Sequence, residues 1–92
     1  KMKANIAAEN TFEAVGREFL EKLRQEGRAE MTLAKVEWLL KQAYAVLGSR
    51  PISTIEAPEV LIVLRKAEAR GRRETARSLR STIGAVFRYA IA

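Results

Sequence analysis

The 92-residue sequence contains no cysteine, no histidine and no aspartate. Without cysteine it cannot form a disulfide or a zinc–thiolate site. Without histidine and aspartate it cannot build a serine-protease-like triad, an imidazole general base or a histidine metal ligand. Glutamate supplies every side-chain carboxylate, so a small hydrolase is disfavoured, and we expect neither a metal nor another cofactor.

Long apolar runs are also missing. No stretch approaches the roughly 20 apolar residues that a membrane-spanning helix needs, and no signal peptide is recognisable. The glycine-rich patterns that hold nucleotide phosphates do not occur either. We therefore expect a cytoplasmic protein with no membrane partner, small enough to form one domain yet long enough to bury a core.

Positive charge, in contrast, is abundant and unevenly placed. The formal net charge is +6, from 17 lysines and arginines against 11 glutamates. Residues 1–48 contain eight basic and seven acidic side chains, whereas residues 49–92 contain nine basic and four acidic ones. A basic second half points to nucleic acid or another anionic surface. The alternative is a soluble helical domain that is merely basic.

Capping signals divide the chain into four helices. Asn10 and Glu13 have the spacing of a capping box, which predicts that the first helix starts at Asn10. Thr32 is the predicted cap of the second helix, which runs to about Leu47. The third begins near Ala57–Pro58, because a proline in the first turn loses no hydrogen bond. The glycines predicted to end helices are Gly27, Gly48 and Gly71.

These signals predict a compact all-α domain of four helices over residues 10–92, with residues 1–9 as a flexible linker. The fourth helix is still in register at Ala92, so we expect the natural chain to continue. Trp38 is predicted to be a core residue, the alternative being a base-stacking platform. The other positions predicted to face the core are Phe12, Val15, Phe19, Leu20, Leu23, Val36, Leu39, Leu40, Ala43, Tyr44, Leu47, Val60, Leu61, Leu64, Ala67, Ala76, Leu79, Ile83, Val86, Phe87 and Ala90.

The fourth helix is the strongest candidate for a binding site. At about 100° per residue, one side of it carries Arg73, Arg77, Arg80 and Arg88. Guanidinium groups match phosphate oxygens and bind guanine edges in the major groove of DNA. The alternative is a solvated face, partly neutralised by neighbouring glutamates. Arg77 and Arg80 are the residues we expect to contact DNA directly.

Further residues extend this candidate surface. Ser81 can donate a hydrogen bond to a phosphate. Gly84, in mid-helix, allows either close approach of DNA or close packing of another helix. Lys35, on the second helix, is a candidate for a second contact. The basic residues expected to attract phosphates around the corner between the third and fourth helices are Lys66, Arg70 and Arg72.

Nearly the whole chain resembles the tyrosine recombinases, specifically the prophage-type integrases. The resemblance is carried by NTFEAVGREFLEKL at 10–23, KVEWLL at 35–40 and the connector at 47–52. Its most specific part is IEAPEVLIVLRKAEARG at 55–71 followed by ETARSLRSTIGAVFRYAIA at 74–92. Two departures are visible. Residues 44–46 replace the Phe-Pro that members often have, and Glu56 replaces their frequent capping threonine.

The resemblance implies the core-binding domain of an integrase, an all-α, SAM-like bundle that positions double-stranded DNA for site-specific recombination. A separate catalytic domain of the same chain closes from the other side of the DNA and supplies the strand-cleaving residues. The fragment itself is therefore not expected to be an enzyme, and Tyr89 is not expected to be the nucleophile. Other integrase protomers bound to the same DNA are expected partners. The protein is expected in the bacterial cytoplasm, associated with the nucleoid. The alternative function is a protein-interaction module that docks on an acidic partner or on another integrase domain or protomer.

Overall fold

A computed structural model describes residues 10–91, and these form four α-helices. The helices are α1 (Phe12–Gln25), α2 (Glu30–Leu47), α3 (Ala57–Ala69) and α4 (Arg73–Ile91), with a short 3₁₀ turn at Ile52–Thr54 between α2 and α3. No strand occurs between residues 10 and 91, so the predicted all-α, four-helix fold is confirmed. The predicted linker at residues 1–9 lies outside the described residues.

The first two helices start at other residues than those predicted. Thr11, not Asn10, is the N-cap of α1, and its side-chain oxygen accepts a hydrogen bond from the Ala14 N–H at 3.1 Å. The connector after α2 sets this start, because the Phe12 N–H donates to the Arg50 carbonyl at 2.9 Å. Helix α2 begins at Glu30, and its N-cap makes no side-chain hydrogen bond. Thr32 therefore lies inside α2, and its predicted capping role is wrong.

Two of the three predicted terminal glycines have the left-handed backbone that ends a helix. Gly27 has a φ of 85° and Gly71 a φ of 76°, which side chains with a Cβ rarely adopt. Gly48 differs, because its φ of −56° is right-handed. A Cβ at Gly48 would lie 2.5 Å from the Tyr44 carbonyl oxygen, so this glycine serves a close approach and not a left-handed turn.

The core joins one face of each helix. Phe12 is fully buried, and its ring lies 6.0 Å from that of Tyr44 on α2 and 5.9 Å from that of Phe87 on α4. The other large, fully buried side chains are Leu40, Leu47, Leu79, Ile83, Val15 and Val86. All six were predicted to face inward, because they follow the 3.6-residue period of an amphipathic helix.

Some apolar side chains lie elsewhere than predicted; Leu33 and Ile52, for example, are buried although they were not predicted as core residues. Leu61 is 43% exposed, whereas Val63, which was not predicted as a core residue, is 2% exposed. The buried face of α3 is therefore rotated away from Leu61, because α3 packs against both α2 and α4. Trp38 is 44% exposed, so its prediction as a core residue is wrong.

Gly16 of α1 lies directly against Tyr44 of α2. A Cβ at this position would lie 2.6 Å from the Tyr44 hydroxyl oxygen and 3.0 Å from its Cε1. The Tyr44 ring fills the space above the glycine, and burial raises the pKa of Tyr44 to about 12. The missing side chain of Gly16 is thus the reason why a tyrosine fits between α1 and α2.

We expect Gly16→Ala to lower the free energy of unfolding by about 1 kcal/mol. Overpacking costs about 1–3 kcal/mol, of which the better helix propensity of alanine offsets about 1 kcal/mol. Tyr44→Phe removes the closest atom, so the same substitution should cost less in that background. Urea denaturation of the four variants measures the coupling, and an equal cost in both backgrounds would contradict the Gly16–Tyr44 contact.

Candidate nucleic-acid interface

The basic side chains of α1 and those of α4 differ in their pairing. On α1 and the turn that follows it, each basic side chain forms an ion pair with a glutamate; these basic residues are Arg17, Lys22, Arg24 and Arg28. On α4, the arginines are exposed, and within residues 10–91 only Arg77 has an ion-pair partner, Glu74, at 3.6 Å. That pair adds little, because the two side chains are 79% and 88% exposed. The positive charge of α4 is thus largely uncompensated within the described structure, whereas that of α1 is paired.

Hydroxyl groups line the groove between α2 and α4. The groove encloses about 270 Å³ and contains Lys35 from α2. Its hydroxyl side chains are Thr32, Ser78, Ser81 and Thr82. No glutamate lines it within residues 10–91, so it offers hydrogen-bond donors beside one positive charge. These are the groups that contact phosphate and sugar in protein–DNA complexes.

A second groove continues this surface toward α1. It encloses about 340 Å³, and it shares Ser81 and Thr82 with the first groove. Lys22 and Arg28 line its other side, although both are paired with Glu26. Thr82, like Ser81, could be predicted as a phosphate donor. The sequence did not indicate Thr32, Ser78, Lys22 and Arg28, because only the packing of α4 against α1 and α2 brings them to these grooves.

Most of the predicted arginines of α4 lie on the side of this helix that faces α3, and not on the side that faces α1 and α2. Arg73, Arg77 and Arg80 line the groove between α4 and α3, together with Glu68. Residues four apart share a helix face, so Arg77 and Ser81 lie side by side on the ridge between the two sides of α4. We use the term α4 ridge for Arg77, Ser81 and Arg88, which are all exposed.

The basic residues of the corner are separated from the α4 ridge. Lys66 and Arg70 line a groove of about 240 Å³ between α2 and α3. Gln42 lines the same groove, and its Nε2 atom is buried without a hydrogen-bond partner within the described structure. Arg72 is exposed in the turn between α3 and α4. The predicted residues thus fall into separate places: Lys35 and Ser81 line one groove, Arg73, Arg77 and Arg80 a second, and Lys66 and Arg70 a third.

Two further residues of α4 have clear surroundings. A Cβ at Gly84 would meet only the end of the Arg88 side chain, at 3.3 Å from Nη1, so no helix among residues 10–91 packs closely against this glycine. Tyr89 donates a hydrogen bond to Glu18 Oε1 at 2.9 Å. The pKa of Tyr89 is raised, mainly because the phenol is partly buried and also because of its hydrogen bond to Glu18, and this disfavours the phenolate form.

None of the four helices over residues 10–91 has the length and apolarity to cross a bilayer.

A family model described as the phage integrase central domain matches residues 12–92. The chain belongs to this family. The resemblance of the sequence to the prophage-type tyrosine recombinases is thereby confirmed. The match begins at the first residue of α1 and includes all four helices, so the α4 ridge and the grooves beside it are parts of an integrase domain.

Two prophage integrases of Escherichia coli K12 are similar to this integrase domain. IntS is 31% identical over 91 residues, which are 99% of this chain and 24% of IntS. IntZ is 47% identical over 53 residues, which are 58% of this chain and 13% of IntZ. The chain thus spans about a quarter or less of the length of these relatives. No solved structure matches it.

Proposed function

We propose that this integrase domain binds double-stranded DNA at a core site and positions it for site-specific recombination. The observation that carries the proposal is the α4 ridge, whose exposed arginines lie beside an acid-free, hydroxyl-lined groove. Arginine binds phosphate in a bidentate way, and serine and threonine hydroxyls add neutral hydrogen bonds to the same backbone. Together these groups fit a polyanion better than they fit an apolar or a cationic partner.

The dimensions of α4 also suit a duplex. A helix of 19 residues is about 28 Å long, and the major groove of B-DNA, roughly 12 Å wide, admits a helix. We assign Arg77 and Ser81 to the centre of the contact, Lys35 to one flank and Arg88 to the C-terminal end. Arg73 and Arg80 border the contact from the α3 side. Lys66, Arg70 and Arg72 add attraction that does not depend on base sequence.

The strand-cleaving chemistry is assigned to another domain of the same polypeptide. In residues 10–91 the exposed cations of α4 have no histidine or cysteine beside them, and Tyr89 is bonded to Glu18. The domain would orient the duplex while the catalytic domain acts on it, in an assembly of several protomers associated with the nucleoid. A protein contact is a second candidate function, favoured by an apolar groove between α3 and α4.

The proposal predicts DNA binding that weakens steeply with salt. For about four phosphate contacts, the logarithm of the association constant should fall with the logarithm of salt concentration with a slope near −3.6, or about −0.9 per contact. Fluorescence anisotropy of a labelled random-sequence duplex across a salt series measures the slope. No binding even at low salt, about 20 mM, would contradict DNA binding by this domain and favour the protein-contact alternative.

A further inference from the structure

Trp38, the only tryptophan of the chain, lies on α2 and is 44% exposed. Met31 is 85% exposed and precedes it by seven residues, or about two helical turns, so the two side chains share one face of the helix. Large aromatic side chains contribute most when they are covered, and exposed apolar side chains grouped on one face mark an interaction site. We use the term α2 face for Met31, Lys35, Trp38 and Lys41.

Two lysines flank the Trp38 ring. Lys35 lies three residues before it and Lys41 three residues after it, which places each about 60° around the helix from Trp38, one on either side. Both lysines are exposed, and neither forms an ion pair within residues 10–91. An exposed indole ring thus lies between two cations whose charge is not compensated.

The acidic residues of α2 lie farther around the helix. At about 100° per residue, Glu30 and Glu37 are about 80° and 100° from Trp38, beyond Lys41. The charge of Glu37 also interacts with that of Arg17 on α1. The lysines are therefore the charged groups of α2 that lie nearest to the direction of the ring.

The α2 face joins two grooves that attract anions. Lys35 also lines the hydroxyl-lined groove between α2 and α4. Four residues after Trp38, Gln42 lines the groove between α2 and α3, together with Lys66 and Arg70. Neither groove is lined by a glutamate within residues 10–91. A polyanion that runs from one groove to the other would pass over the indole ring.

An aromatic ring between cations suits a DNA strand whose bases are unpaired. In a duplex, each base is stacked on its neighbours and shows only its edges in the grooves, so the ring has no base face to contact. An unpaired base offers its whole face, and stacking on an aromatic side chain combines with cations that hold the phosphates. The chemistry of the α2 face therefore favours a single strand over a duplex.

We propose that the α2 face binds unpaired DNA, with one base stacked on the Trp38 ring and the neighbouring phosphates held by Lys35 and Lys41. This contact is separate from the duplex contact at the α4 ridge. The choice of DNA as the nucleic acid rests on the proposed function, whereas the stacking itself does not depend on duplex binding.

The fluorescence of Trp38 reports on this contact directly, because the chain has no other tryptophan. The probe is an oligothymidylate of about 12 nucleotides, and the control is an abasic strand of equal length, which has the same phosphates but no bases. At saturation, the oligothymidylate should quench the fluorescence, whereas the abasic strand should leave it nearly unchanged. The oligothymidylate should also bind about tenfold more tightly, as expected for one base stacked on an aromatic side chain.

Variants of Trp38 separate stacking from charge. Trp38→Leu keeps an apolar side chain but removes the aromatic face, so the roughly tenfold preference for the oligothymidylate should vanish. Its salt slope should stay the same, because no phosphate contact is lost. Trp38→Phe should retain most of the preference. Leu61→Ala, an exposed change on α3, should bind both strands like the unmodified chain. Anisotropy of labelled strands measures the affinities, and circular dichroism verifies that the helices are retained.

Four results would overturn the proposal. They are equal affinities for the oligothymidylate and the abasic strand, fluorescence that is unchanged at saturation, a preference that survives W38L, and a loss in W38L that is as large for a duplex as for the single strand. The last result would assign Trp38 to the duplex contact. A labelled duplex measured with the same samples keeps the two proposals apart. If the duplex bound while the bases of the single strand made no difference, the proposed function would stand without the stacking contact. If only the duplex failed to bind, the stacking contact would stand without the α4 ridge.

Discussion

Replacing Phe12 with alanine is expected to lower the free energy of unfolding by about 3–5 kcal/mol, the range found for large-to-small changes of buried aromatic residues. Phe12 is 0% exposed, and its ring lies against Tyr44 and Phe87. One side chain therefore joins α1, α2 and α4. Its removal leaves a cavity that three helices border, and the aromatic contacts add to the loss.

The backbone at Phe12 makes collapse of this cavity difficult. Its N–H is bonded to the Arg50 carbonyl, and the next N–H, of Glu13, donates to the Gly48 carbonyl at 3.1 Å. The start of α1 is thus tied to the end of α2, and α1 cannot slide inward without breaking these bonds. A small domain has about 5–10 kcal/mol of stability in total, so the variant should be largely unfolded at moderate urea concentrations.

Urea denaturation followed by circular dichroism measures this loss. Leu61→Ala is the matched control, because Leu61 is 43% exposed and its truncation should cost about 1 kcal/mol or less. If Phe12→Ala cost no more than Leu61→Ala, Phe12 would not be the centre of the core. The midpoint should fall while the slope of the transition stays similar, as expected for a change in stability alone.

Most of the fold could be predicted because the helix periods are regular. The positions at i, i+3, i+4 and i+7 gave nearly the whole core, and Gly27 and Gly71 gave two helix ends. The failures have tertiary causes. Asn10 and Thr11 are both favourable N-cap residues. Thr11 becomes the N-cap because the Phe12 N–H donates a hydrogen bond to the Arg50 carbonyl in the connector between α2 and α3. The exposure of Trp38 also depends on packing, because the arrangement of the helices leaves 44% of its surface uncovered.

Of the candidate site, the charged residues and Ser81 could be predicted from the sequence. The ion pairs of α1 can be predicted from the sequence, because Glu13 and Arg17 are four residues apart, as are Lys22 and Glu26. The other three arginines of α4, Arg73, Arg80 and Arg88, form no ion pair within residues 10–91, and the pair between Arg77 and Glu74 is highly exposed. The sequence did not show that Arg73, Arg77 and Arg80 line the groove on the α3 side while Lys35 and Ser81 line the groove on the α2 side, because this depends on which helix packs on each side of α4.

Reversing two charges beside Ser81 is expected to lower DNA affinity about 100-fold at low salt, on the order of tenfold for each contact. The variant combines Lys35→Glu and Arg77→Glu. Lys35 lines the groove on the α2 side of Ser81, and Arg77 precedes it by one helical turn on the α4 ridge. The new carboxylates would face the duplex from both flanks of the proposed contact. Both positions are exposed, so the fold should be retained.

The matched control is Arg24→Glu combined with Lys41→Glu, which changes the net charge by the same amount. Both residues are exposed, and neither lines the hydroxyl groove. A loss through overall charge would weaken both double variants equally, because a long-range field depends little on which cations are removed. If the duplex contacts the α4 ridge, a large loss of DNA affinity is expected only for the first variant. The salt dependence of its binding should also be shallower, by the amount that about two phosphate contacts contribute. Equal losses in affinity and equal slopes would therefore exclude Lys35 and Arg77 as the contacting residues, while leaving attraction to the duplex as a property of the whole basic surface.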